Sequence, residues 1–146
     1  MKKTPVSIQV HGKQIYSEGH EDEQKLSTVG TFYERNGVFY LFYKESDNEN
    51  TGLGDVTTFL IIKEGLVTLN RKGAVELTQE FKKGVLNRSI YATCYGKIWI
   101  SNMPYRVEYD LTVHGGRINL EYDLFVDDKL VSYNLLLLNI KEDLPQ

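Results

Sequence analysis

The chain has one cysteine, Cys94, three prolines and one tryptophan in 146 residues. A lone cysteine closes no intrachain disulfide, so the sequence carries no mark of an oxidising compartment and the expected location is the cytoplasm. Basic residues are not in excess: 17 Lys and Arg stand against 20 Asp and Glu, a formal net charge of -3. Such a chain lacks the positive field that concentrates proteins on phosphate backbones or anionic lipid, and neither nucleic acid nor membrane is expected as a partner. Long apolar runs are missing too. Segments 59–62 and 135–138 extend four residues each, against the roughly 20 that a membrane helix needs. The basic start Met1-Lys2-Lys3 leads into a stretch broken by Pro5, Ser7, Gln9 and His11, which argues against a signal peptide. One ordinary domain over 1–146 is long enough to bury a core without disulfides or metal.

What the chain does have is a regular succession of short alternating runs closed by tight-turn pairs. Ten tyrosines and six phenylalanines suit a pleated surface, where large rings pack well. Asn36-Gly37, Gly115-Gly116 and Asp127-Asp128 lie between such runs, and these residue types tolerate the positive φ of two-residue hairpins. Strands are predicted over 4–16, 24–35, 38–45, 56–63, 66–71, 74–81, 88–95, 97–101, 105–114, 117–126 and 129–141, some of them halves of one bent strand. The polar segments 18–23 and 46–54 read as loops, the second as the longest mouth loop. The expectation is an all-β antiparallel meander of about eight to ten strands. A meander this long leaves exposed edges and a wet apolar face unless it closes, so a barrel of the lipocalin size range is predicted, with a sandwich as the other architecture.

Parity within the strands nominates interior residues. Tyr105, Val107, Tyr109, Leu111 and Val113 share one face, as do Ile118, Leu120, Tyr122, Leu124 and Val126, which places three tyrosines inside. They either fill a core or line a ligand cavity. In 88–95 the set Tyr91, Thr93 and Tyr95 alternates with Ile90, Ala92 and Cys94, and either set suits the interior. Arg71 shares a face with Val67 and Leu69, and Glu45 one with Phe39, Leu41 and Tyr43. A guanidinium on an apolar face either snorkels out at the strand end or anchors a carboxylate, for which Glu45 is an internal candidate.

Chemistry-bearing patterns are sparse. His20-Glu21-Asp22-Glu23 matches no zinc or calcium spacing and reads as a solvated acidic loop. Cys94 has no neighbouring histidine, and the chain holds no phosphate-binding glycine loop and no nucleophile elbow. No metal and no cofactor is expected.

Thr57-Thr58 opening a strand, then Arg71-Lys72-Gly73, Tyr91-Ala92-Thr93 with Tyr95-Gly96, and Leu120-Glu121-Tyr122 together resemble the DUF1934 family, the YwiB-like bacterial proteins. The resemblance covers nearly the whole chain. It implies a calycin-like, lipocalin-type barrel and a cytoplasmic bacterial origin, and it brings no established activity and no catalytic residue.

Three functions follow in order of expectation. The first is non-enzymatic binding of a small, largely apolar ligand, with Tyr91, Thr93 and Tyr122 as hydrogen-bonding groups, Tyr105 on the same inner wall, and Arg71 with Glu45 as the polar end. The second is an interaction module with a solidly packed barrel, using its outer faces or loop 46–54. The third is an enzyme with an interior Arg/Tyr site. The run 135–138 is apolar on both faces, so a packed loop or a second copy in a twofold dimer is expected over its outer side.

Overall fold

The computed structural model describes residues 3–45 and 55–143. Loop 46–54, read above as a mouth loop and a candidate contact surface, lies outside the described residues. Ten strands follow one another: β1 (Thr4–Tyr16), β2 (Glu21–Arg35), β3 (Val38–Glu45), β4 (Val56–Lys63), β5 (Leu66–Gly73), β6 (Leu77–Lys82), β7 (Asn87–Thr93), β8 (Gly96–Thr112), β9 (Gly115–Val126) and β10 (Lys129–Glu142). Each pairs antiparallel with its sequence neighbour except β6 with β7, and β1 also pairs with β10 from Val6↔Glu142 to Tyr16↔Ser132. The result is the expected all-β meander, curled into a nearly closed barrel.

The seam lies between β6 and β7. Glu76 and Ala92 exchange backbone hydrogen bonds of 2.8 and 3.0 Å there. Beyond that bridge the ladder lapses until the Gly84 N–H reaches the Pro104 carbonyl at 2.9 Å, and side chains span the interval. Asn87 Oδ1 accepts the Glu80 N–H at 3.0 Å, and Asn102 Nδ2 donates to the Glu80 carbonyl at 3.1 Å. Both polar groups of one β6 residue are thus satisfied across a gap where main chains do not meet.

Two of the three turn pairs behave as expected. Asn36 and Gly37 (φ 54° and 81°) and Asp127 and Asp128 (φ 48° and 66°) make left-handed two-residue turns. Gly115-Gly116 does not: the turn is Val113-His114, and both glycines begin β9. They are required for close backbone approach, because a Cβ on Gly116 would lie 1.9 Å from the Asp110 carbonyl oxygen, and one on Gly115 2.3 Å from that of Ile140.

Segments 97–101 and 105–114 are one strand, β8, which bends at Tyr105. Pro104 pairs with Tyr122 and Arg106 with Glu121, so Tyr105 is the extra residue of a bulge. Pro104 lacks an N–H to give to the ladder, and such positions favour bulges. Segment 18–23 is likewise shorter as a loop than predicted: Glu21, Asp22 and Glu23 begin β2 and pair with Ile15, Gln14 and Lys13. They are exposed, and a wet strand end needs no apolar residues to be held by its ladder.

Inside, the inward rows are apolar at one end of the barrel and carry polar residues further along, with Val56 and Leu77 beyond Thr58 and Gln79. At one end Ile8, Phe32, Leu41, Leu60, Val67 and Leu120 are 0% exposed, a packed core rather than an open channel. Toward the other end the same rows continue as Gly12 and Gln14 (β1), Tyr43 and Glu45 (β3), Thr58 (β4), Arg71 (β5), Gln79 (β6), Tyr122 (β9) and Asn134 (β10).

Candidate functional site

Register brings these interruptions together. Tyr43 pairs with Thr58, Thr58 with Arg71, and Arg71 with Leu77, while Tyr122 pairs with Asn134 on the far side. Cross-strand partners share a face, so one inward position per strand builds a polar belt. The belt surrounds a cavity of about 250 Å³, which reaches the β1–β2 end of the barrel through Gln14, Asp22 and Gln24.

Glu45 is the hub of one wall. Its Oε2 accepts the Thr58 hydroxyl at 2.7 Å and lies 3.4 Å from Arg71 Nη2. Both ionic side chains are half-buried, 27% exposed for Arg71 and 29% for Glu45. The guanidinium therefore neither snorkels free nor sinks into the core; it turns one nitrogen to Glu45 and remains at the cavity wall.

Two phenols flank the pair. Burial pushes the Tyr43 hydroxyl well above the ordinary range, and the Glu45 charge raises it further. Burial pushes Tyr122 up to about 12, with the nearby Arg71 charge opposing. Both stay protonated at neutral pH and act as hydrogen-bonding groups. The Tyr122 ring meets Phe81 edge-on at 4.9 Å, which fixes it at the boundary between core and cavity. Its hydroxyl has no hydrogen-bond partner among the described residues. Gln79, 7% exposed, has an amide equally without one. Neither is sealed away, since both line the cavity.

Of the predicted residues, Arg71, Glu45 and Tyr122 converge here. Tyr105 does not: the bulge turns it outward, 51% exposed, where its hydroxyl donates to Asp123. Thr93 closes the turn after β7, accepting the Tyr95 N–H at 3.0 Å, and is away from the cavity. Tyr91 lies on the less exposed face of β7 opposite Ile98, but outside the cavity wall. Tyr109 packs against the core, and its hydroxyl accepts the Gly65 N–H at 2.8 Å.

Thr58, Gln79 and Asn134 were missed, although a signal was present. Thr58 and Gln79 are polar residues on inward rows otherwise occupied by apolar side chains, as Thr58 is between Val56 and Leu60, the same anomaly that singled out Arg71, while Asn134 precedes Leu136 and Leu138 on its row. Asp22 and Gln24 had no such signal, because they occupy a strand end that is polar on both faces. Among the described residues no group of three or more His, Cys, Asp and Glu could hold a metal ion.

Comparison with known proteins agrees with this architecture. The model of a family described as a domain of unknown function, DUF1934, matches residues 8–138. The uncharacterised β-barrel protein YwiB of Bacillus subtilis (strain 168) is 30% identical over 129 residues, 88% of this chain and 87% of that protein. The crystal structure of the ywiB protein from Bacillus subtilis superposes with a TM-score of 0.86 at 25% identity, covering 97% of this chain and 94% of that one. With the family match spanning most of its length and the barrel preserved, the chain belongs to the DUF1934 family.

Proposed function

We propose that this protein binds a small molecule inside the barrel without transforming it. The observation that carries the reading is the asymmetry of the interior: one end is packed, while the other keeps about 250 Å³ open beside the Tyr122 hydroxyl and the Gln79 amide, which have no hydrogen-bond partner among the described residues. A folded chain gains nothing from unpartnered polar groups unless something else satisfies them. An apolar cavity of about 150 Å³ holds benzene, so this one suits a ligand of about ten non-hydrogen atoms. Val10, Leu26, Leu69 and Leu136 add apolar lining to the same cavity, Leu69 lying two residues before Arg71 on the same face of β5. The ligand is therefore amphipathic rather than largely apolar. The upward-shifted phenols stay neutral and are available to a ligand as hydrogen-bonding groups.

The polar outer face of β1 and β2 supports a barrel at work in water, and we place it in the cytoplasm. Gln9, His11 and Lys13 alternate outward on β1, opposite Ser27, Lys25 and Glu23 on β2, the reverse on these strands of the apolar-out pattern of membrane barrels.

A second reading rests on Ile90 and Trp99, cross-strand partners that are each 44% exposed, with Arg88 stacked 4.4 Å over the indole. Such a surface suits a protein contact. Native mass spectrometry of the gently purified chain separates the two. A reproducible small adduct lost on denaturation supports ligand binding; a bare mass alone moves the assignment to the interaction surface.

A further inference from the structure

We propose that the cavity takes a small monocarboxylate, with its head group on the open edge of the Arg71 guanidinium and its body against Leu69, Leu136 and Leu26. The inference rests on the ligand-binding reading and names the ligand class.

Hydrogen-bonding capacity decides the class. A guanidinium carries five N–H donors in a planar fork, and Arg71 directs only Nη2 to an acceptor among the described residues, at 3.4 Å. The Tyr122 hydroxyl and the Gln79 amide add further unused donors on the same cavity. A carboxylate offers two oxygens with about four lone-pair sites in the geometry that a guanidinium edge matches. Glu45 does not consume this capacity. Thr58 holds it at 2.7 Å through the same oxygen that meets Arg71, so the carboxylate is tethered to β4 and occupies a single nitrogen.

Competing head groups fit less well. An ammonium needs a cluster of free acceptors; of the two lining carboxylates, Asp22 is exposed at the β1–β2 mouth, and the Glu45 oxygen that meets Arg71 is already engaged twice. A doubly charged phosphate would meet one guanidinium already offset by Glu45; Lys13, directed to the outer face of β1, is paired there with Glu21 at 3.5 Å. Single charge and small size remain, and the aliphatic wall takes the rest of the molecule.

The test is a titration, followed by amide NMR and calorimetry, with benzoate, benzamide, benzyl alcohol and benzylamine, and with hexanoate, hexanamide, hexanol and hexylamine. Each set holds the body constant and changes the head. A carboxylate is expected to bind at least about tenfold more tightly than its neutral and cationic counterparts, the scale of a charge-assisted hydrogen-bond pair. Arg71→Gln should remove that preference. Glu45→Gln, which takes away the repelling charge, should tighten the carboxylate roughly threefold or more and leave the amide unchanged. Circular dichroism verifies that both variants are folded, and Arg71→Met serves in place of Arg71→Gln if that variant is not. Equal or tighter binding of an amide, alcohol or amine at the cavity overturns the carboxylate assignment while ligand binding stands. No binding by any compound at millimolar concentration overturns both.

Discussion

Asn87 and Asn102, cross-strand partners on β7 and β8, grip opposite polar groups of the same residue: one takes the N–H of Glu80 and the other its carbonyl. This pair finishes a closure that the backbone ladder leaves incomplete. Asn102 is 0% exposed, so Asn102→Leu should leave the Glu80 carbonyl without its donor and cost about 1–3 kcal/mol. Urea unfolding measures the loss; a change below a few tenths would show that the seam does not depend on it.

Tyr122→Phe separates packing from contact. The ring stays against Phe81 while a hydroxyl without a described partner is removed, so stability should change by less than about 1 kcal/mol. Affinity for the cavity ligand should fall. Thermal melts and a ligand titration on the same preparation check both halves.

Gly12 lines the cavity, and a Cβ there would lie 4.0 Å from Leu136 Cδ1, ordinary contact. Gly12→Ala should therefore fold at least as well as the parent, with a gain of up to about 1 kcal/mol from the less flexible unfolded chain, yet narrow the cavity and weaken ligand binding. Gly116→Ala should do the opposite. Its Cβ would overlap a backbone oxygen at 1.9 Å at a φ of 142°, a loss on the order of 3 kcal/mol or more. Expression level and melting temperature distinguish the two.

Alkaline titration reads the buried phenols. Tyr122 is raised from 10.0 to about 12 and Tyr43 is raised further. The folded state therefore holds these protons after the unfolded chain has released them. Their contribution is complete below about pH 10 and is lost as pH rises through the folded values. For Tyr122 alone the loss approaches about 2–3 kcal/mol. Unfolding free energy measured from pH 8 to 12 should be flat and then fall, and Tyr122→Phe should flatten part of the fall.

Tyr105→Phe should be nearly silent. Its bond to Asp123 is on the outer surface, so stability should move by less than about 0.5 kcal/mol and ligand affinity not at all. A large affinity loss would return Tyr105 to the inner wall.

The meander is written locally, because hairpins are local: Asn36-Gly37 and Asp127-Asp128 specify their turns whatever surrounds them, and alternation marks which residues share a face. The sequence also marked Arg71 and Glu45, whose polarity breaks an apolar row. Tertiary structure decided the rest. Side-chain direction has a period of two, so the single extra residue at Tyr105 turned that side chain from the predicted interior to the solvent, and local pattern does not announce a bulge. Closure of β1 onto β10 decided which interruptions face one another, bringing Tyr122 and Asn134 across from Thr58 and Arg71. The open space between them depends on how side chains from distant strands fill the volume, a property of the assembled barrel and of no single segment.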